Sequence, residues 1–138
     1  MEYSVGNCEL VDIPKVHDRR GNLSFLESTQ AGFDIKRIYY LYDIPADSVR
    51  GGHAHKKLKQ VIIALSGSFD VVLDDGVVKR NITLARPYQG LYMCPMIWRE
   101  LVNFSSGEVG LVLASDLYDE SDYYRDYQEY LHAVRQKD

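Results

Sequence analysis

Two histidines one residue apart are the sharpest chemical feature of the chain: His53 and His55, in the run Arg50-Gly51-Gly52-His53-Ala54-His55. In a β-strand, residues i and i+2 face the same side, so both imidazoles project together and Ala54 turns away. Paired imidazoles on one wall bind a metal, move protons, or sit inert in a polar cluster. An imidazole near its ordinary pKa can take or give a proton at neutral pH. The other reactive residue types suggest less. Cys8 and Cys94 share no close spacing and have no basic or histidine neighbour in the chain. A disulfide framework, a zinc site and a nucleophilic thiol are therefore disfavoured, and two buried free thiols in a reducing compartment are expected. His17 and His132 fall in turn-like and helical contexts and read as surface residues.

A pair of side chains can act together only on a rigid wall, and the surrounding sequence supplies strands. Residues 35–44 (IKRIYYLYDI) are rich in β-branched and aromatic types, with Tyr39 and Tyr40 on opposite faces. Residues 59–84 read as two strands, a turn and a third strand. Asp75-Gly76 between VVL and VVK is a hairpin signal, because Gly supplies the positive φ such turns need. Ser66-Gly67-Ser68 marks another turn, and GLYMCP, REL and VGLVLAS supply further strands. Many short strands at regular spacing predict an all-β sandwich or barrel. The tail differs. From Ser121, a suitable N-cap, acidic residues come early and basic residues late, which complements a helix dipole. Tyr124, Tyr127 and Leu131 form one helical stripe, so a single C-terminal helix is expected over 121–136, packed on the β domain. Trp98 reads as an apolar anchor beside Arg99.

The chain is 138 residues long, the size of one domain, and a single domain over 1–138 is expected. Sixteen Lys and Arg against 20 Asp and Glu give a net charge of −4. That balance argues against general nucleic-acid binding, which depends on phosphate neutralisation, but leaves room for a local basic pocket. No apolar stretch is long enough for a signal core or a membrane span, so a cytoplasmic protein with no membrane partner is expected. Tyrosine is abundant, with 11 in all, which suits interfaces and sugar binding.

The spacing around the histidines resembles the cupin double motif. There, HxH is followed by a Glu and, six residues later, a Gly; a Pro then precedes a third His and an Asn. Here four residues separate His55 from Gln60, and six separate Gln60 from Gly67; Pro95 precedes Arg99, which is followed by ELV and Asn103. The skeleton is kept while two ligand positions have changed. Arg has no lone pair to donate and a fixed positive charge that repels a divalent cation. Two His and a neutral amide make a poor divalent site. The departure suits an anion and proton transfer, with Arg99 and Arg50 available to stabilise an enolate-like oxygen or hold a phosphate.

Five segments carry a closer resemblance, to the nucleotide-sugar 3,4-ketoisomerases. They are residues 18–23 (DRRGNL), 33–40 (FDIKRIYY), 50–58 (RGGHAHKKL), 90–93 (GLYM) together with 98–100 (WRE), and 113–123 (LASDLYDESDY). They run in order over nearly the whole chain. The resemblance implies a jelly-roll cupin, a homodimer with exchanged N-terminal strands, and no metal or cofactor. It implies a dTDP-linked 4-keto-6-deoxyglucose substrate whose ketone moves from C4 to C3 through an enediol, in deoxyamino-sugar biosynthesis. His53 and His55 match the family's catalytic pair and Tyr39 its active-site tyrosine. Arg50, Arg99, Arg20 and Gln60 are the candidate substrate-binding residues, Arg50 for the pyrophosphate or the sugar carbonyl. The family has a galacto-product and a gluco-product branch; Arg20 resembles the first and Arg99 the second, and replacement of a possible proton donor by Arg99 favours gluco.

Other readings compete. A 3,5-epimerase cupin expects a His–Asp pair, and no Asp stands in register near His53 or His55 in the sequence. A non-catalytic sugar-binding cupin would tolerate loss of either histidine. A metal-dependent oxygenase would need the ligands that Gln60 and Arg99 replace.

Overall fold

The computed structural model describes residues 3–136. Strands come in chain order as β1 (Leu10–Asp12), β2 (Lys15–Asp18), β3 (Gly21–Ser24), β4 (Arg37–Tyr42), β5 (Arg50–His55) and β6 (Gln60–Ser66). After these follow β7 (Phe69–Asp74), β8 (Lys79–Leu84), β9 (Gln89–Met93), β10 (Trp98–Val102), β11 (Val109–Ala114) and β12 (Tyr123–Tyr124). A one-turn helix α1 (Ser28–Ala31) lies between β3 and β4, and α2 (Tyr127–Arg135) closes the chain.

Two five-stranded antiparallel sheets face one another. One has the order β1-β9-β6-β11-β4 and the other β12-β5-β10-β7-β8. This is the mostly-β, two-sheet cupin arrangement with a C-terminal helix. Alternation fills the space between the sheets. Phe69, Val71 and Leu73 of β7 meet Ile62 and Ala64 of β6, Leu91 and Met93 of β9, and Val112 of β11, all buried. Each fully buried aliphatic or aromatic side chain contributes about 1.5–3 kcal/mol. A second cluster covers the outer face of the first sheet, where Val61, Ile63 and Leu113 lie against Ile13 and Ala31.

Several sequence expectations change in detail. The Asp75-Gly76 signal does mark a turn, with Gly76 at φ +91, but the turn takes in Val77 and Val78, and β8 begins at Lys79. The Asp75 carboxylate accepts from the amides of Val77 and Val78, each at 2.9 Å, and of Val5 at 2.9 Å, which stabilises the longer loop. The tail is not one helix over 121–136. Ser121 is taken up by Asp119, which accepts from both its amide and its hydroxyl, so residues 120–122 form a 3-10 turn. Tyr123 and Tyr124 extend and pair with the free edge of β5, and the true N-cap is Asp126, whose carboxylate accepts from Glu129 N at 3.0 Å. The buried stripe of α2 is Tyr130, Leu131 and Val134, not Tyr124, Tyr127 and Leu131. Cys8 and Cys94, remote in sequence, come within 3.7 Å as buried free thiols.

Tyr130 fixes α2 to the barrel. It is fully buried, and its hydroxyl lies 2.8 Å from Met96 O and 3.0 Å from Asp74 O. Tyr130→Phe leaves both carbonyls without that donor. It should lower stability by about 1–2 kcal/mol in urea unfolding, with the urea dependence unchanged.

Candidate active site

The site is built on β5, and two glycines shape its entry. Gly51 and Gly52 both have positive φ, +86 and +68, a region that L side chains rarely adopt. A Cβ on Gly51 would also lie 3.0 Å from the Arg99 carbonyl, so only Gly allows β5 to approach β10 this closely. The pairing register shifts at Arg99/Glu100, and Arg99 lies opposite His53. On its other edge β5 pairs with β12, Tyr123 opposite His55 and Tyr124 opposite Ala54.

As the i, i+2 spacing predicts, the two imidazoles come together, 4.9 Å apart and nearly perpendicular, while Ala54 packs on the α2 side. Tyr123 covers them, its ring 5.0 Å from His53 and 4.4 Å from His55. His53 lines the open cleft and the inner cavity behind it; His55 is buried deeper and lines neither. Nδ1 of His53 and Nε2 of His55 are buried without a hydrogen-bond partner. His55 Nδ1 lies 3.1 Å from Asp122 Oδ2. The sequence showed no Asp in register with the histidines, yet folding delivers one from 67 residues away, so the absence of a His–Asp pair does not hold.

Behind the imidazoles runs a polar chain. Arg99 is fully buried; Nη1 donates to Gln60 Oε1 at 2.7 Å and Nε to Ile97 O at 3.0 Å. Gln60 Nε2 in turn donates to the Tyr39 hydroxyl at 3.0 Å. The guanidinium can only donate, so Gln60 must turn its oxygen to Arg99 and its amide to Tyr39. Tyr39 therefore accepts, and its own hydrogen stays free for a group in the cavity. Burial raises the Tyr39 pKa, with Arg99 acting against it. Burial, then the Arg99 charge, depresses both imidazoles; His53 is pushed down to about 4. Both rings are thus neutral at pH 7 and able to accept a proton.

The open cleft, about 420 Å³, is lined by Tyr39 and His53 and ringed by Arg37, Arg50 and Arg125, with Tyr118 and Tyr123. Three guanidiniums around an open mouth suit an anionic ligand such as a diphosphate, and the aromatic rings offer flat faces to a base or sugar. Arg37 stands 5.4 Å from the Tyr39 ring and Arg125 4.1 Å from the Tyr123 ring; Arg125 is also paired with Glu120.

Of the residues named from sequence, His53, His55, Tyr39, Gln60, Arg99 and Arg50 converge on this region. Two of these residues do more than line a cavity, and Arg20 lies elsewhere in this chain. Arg99 and Gln60 hydrogen-bond one another within the barrel wall, so Arg99 acts first on its neighbours. Arg20 lies on the exposed β2–β3 hairpin, bonded to Asp18 at 2.7 Å, and lines none of these cavities. Arg37, Tyr123, Arg125 and Asp122 were missed. Arg37 could have been found, since it shares the inward face of β4 with Tyr39. The other three depend on β12 folding across β5.

The family described as FdtA: WxcM-like, C-terminal, matches residues 6–135. The TDP-4-oxo-6-deoxy-alpha-D-glucose-3,4-oxoisomerase of Aneurinibacillus thermoaerophilus is 46% identical over 123 residues, 88% of each chain. Among solved structures, the 3,4-ketoisomerase QdtA from Thermoanaerobacterium thermosaccharolyticum, a His-to-Asn mutant in complex with TDP-4-keto-6-deoxyglucose, superposes with a TM-score of 0.93. It is 40% identical, with 95% of this chain and 96% of that chain covered. A 3,4-ketoisomerase from Helicobacter canadensis has a TM-score of 0.91 at 46% identity, covering 94% and 98%. With its fold and nearly all its length in agreement with these proteins, the chain belongs to the FdtA family of sugar 3,4-ketoisomerases.

Proposed function

We infer that this chain is the 3,4-ketoisomerase acting on dTDP-4-keto-6-deoxyglucose in deoxysugar biosynthesis. The observation that carries this reading is the meeting of His53 and a Tyr39 with a free hydrogen on one cavity beneath a ring of arginines, with His55 packed against His53. The C4 carbonyl acidifies the C3 proton. His53, which lines the cleft, takes that proton at a ring nitrogen; the electron pair moves to the C4 oxygen, which gains a proton to complete the enediol. The C3 hydroxyl then gives up its hydrogen as the C3 carbonyl forms, and a proton is delivered to C4. His55 and Tyr39 are the remaining proton-carrying groups beside His53. Arg50, Arg37 and Arg125 hold the diphosphate at the mouth.

The donor set does not fit a metal ion. Arg99 and Gln60 occupy two ligand positions of the cupin motif and bond one another, and among the described residues no group of three His, Cys, Asp or Glu could hold a cation. The reaction is therefore read as metal- and cofactor-independent. Arg99 cannot deliver a proton at pH 7, which favours the gluco configuration at C4 of the product. A homodimer with exchanged N-terminal strands is part of the same reading. Its support is the exposed β2–β3 hairpin, with Val16 and Leu23, and the exposed Ile38, Tyr40 and Tyr42 on the outer face of β4. Among the described residues no helix is long and apolar enough to cross a membrane. A cytoplasmic setting suits the unbonded Cys8 and Cys94 and a soluble nucleotide-sugar substrate.

Incubation with the dTDP 4-keto sugar in deuterated water, followed by NMR, should give a 3-keto product carrying deuterium at C4, with the large H4–H5 coupling of a gluco ring seen in ordinary water. A product formed without solvent exchange would mean direct transfer of the C3 hydrogen, by a hydride shift or by one shielded base, and would exclude release of the proton to solvent. His53→Asn should bind the substrate with little change while turnover falls ~100-fold or more, the scale of lost acid–base catalysis. Joint loss of binding and turnover would make His53 a recognition residue.

The acid limb of kcat/KM should lie low. His53 must be neutral to act, and its pKa in the folded protein is about 4 against an ordinary 6.5. Activity should hold as pH falls through 6.5 and decline only toward the folded value. Stability falls earlier than activity does, because the unfolded chain takes up the proton first and gains on the native state as pH drops from 6.5 to about 4. A kcat/KM limb centred at 6.5 would contradict the buried, neutral imidazole.

A further inference from the structure

Asp122 stands at the end of the 3-10 turn that leads the chain across β5, and its side chain is 16% exposed. Oδ1 accepts from Lys57 N at 2.9 Å, and Oδ2 accepts from Leu58 N at 3.4 Å while lying 3.1 Å from His55 Nδ1. Its main-chain carbonyl accepts from Lys56 N at 2.8 Å. Two amides and one ring nitrogen thus converge on a single carboxylate. An ionised carboxylate can only accept, so at this contact His55 must carry its hydrogen on Nδ1. In the neutral ring the lone pair is then on Nε2, which is buried and has no partner. A carboxylate on the far nitrogen also raises the basicity of the near one and stabilises the imidazolium once a proton arrives.

We propose that Asp122 is the positioning residue for His55, fixing the Nδ1–H tautomer so that the Nε2 lone pair is the acceptor in a proton relay beside His53. This deepens the ketoisomerase reading and rests on it. During turnover a proton passed to Nε2 forms a His55 imidazolium facing the Asp122 carboxylate, and the Nε2–H bond breaks when that proton is passed on. Asp122 itself stays ionised throughout, and no other reactant is needed.

A purely structural role is the competing account, since the same carboxylate anchors the turn at residues 56–58. Asp122→Asn separates the two. The amide keeps an oxygen for Lys57 N but offers an N–H where Oδ2 faced the ring, so His55 Nδ1 becomes an acceptor and the ring takes its Nε2–H form. Nitrogen-15 NMR of histidine-labelled protein without substrate reads the tautomer directly. The expected result is Nδ1–H for His55 in the native chain and Nε2–H in Asp122→Asn. In the same variant kcat should fall ~100-fold or more, as wrong-tautomer histidines do elsewhere, with KM within about twofold. A native His55 with hydrogen on Nε2 overturns the proposal, and this holds even if the variant fails to fold. An Asn variant with native turnover also overturns it. A native Nδ1–H tautomer in a protein that does not isomerise the dTDP 4-keto sugar would leave the pairing intact and fail the ketoisomerase reading instead.

Discussion

The buried guanidinium of Arg99 is the constraint on which the site depends. A charge placed inside a β-barrel is costly unless it is hydrogen-bonded, and here it gives one hydrogen bond to Gln60 and one to a main-chain carbonyl while Nη2 has no partner. Three properties follow. Burial and this charge together depress the imidazoles beside it and so keep them neutral at pH 7. It dictates which end of Gln60 faces Tyr39, and through Gln60 it leaves the Tyr39 hydrogen free. It also removes the position where a cupin metal would find its third imidazole. Together with Gln60 it replaces two of the cupin motif's ligand positions with groups that hydrogen-bond one another.

The second requirement is a cover. The histidines lie on an edge strand of their sheet until β12 pairs with β5 and places the Tyr123 ring over both imidazoles. Arg125 then stacks on Tyr123 and pairs with Glu120, which also accepts from Tyr118. These residues form the outer wall of the cleft and exclude water from one side of the rings. A drier site strengthens every charge–dipole interaction within it.

Sequence alone made the strand content legible, because alternation and turn residues are local signals. It also made legible the shared face of His53 and His55, which needs only period-two geometry, and the loss of two metal ligands, which needs only the chemistry of Arg and Gln. The family resemblance supplied Tyr39. What stayed hidden was non-local or competitive. Asp122 meets His55 from 67 residues away, and no spacing rule reports that contact. Residues 121–124 carry a helical pattern, but Ser121 had a nearer partner in Asp119 and the edge of β5 had hydrogen-bonding groups to satisfy. Tertiary pairing outweighed local propensity there.

The same alternation that pairs the histidines also divides three adjacent strands between chemistry and support. On β5, His53 and His55 face the site while Ala54 faces α2; on β10, Arg99 faces inward while Trp98 faces α2; on β12, Tyr123 covers the rings while Tyr124 joins the helix cluster. Trp98 packs 5.2 Å from Tyr127 and 5.7 Å from Tyr130, so the helix clamps the outer face of the wall whose inner face carries His53 and His55. A reaction that moves a proton between adjacent carbons tolerates little displacement of its base. The short C-terminal helix is therefore best understood as the buttress that holds this wall still.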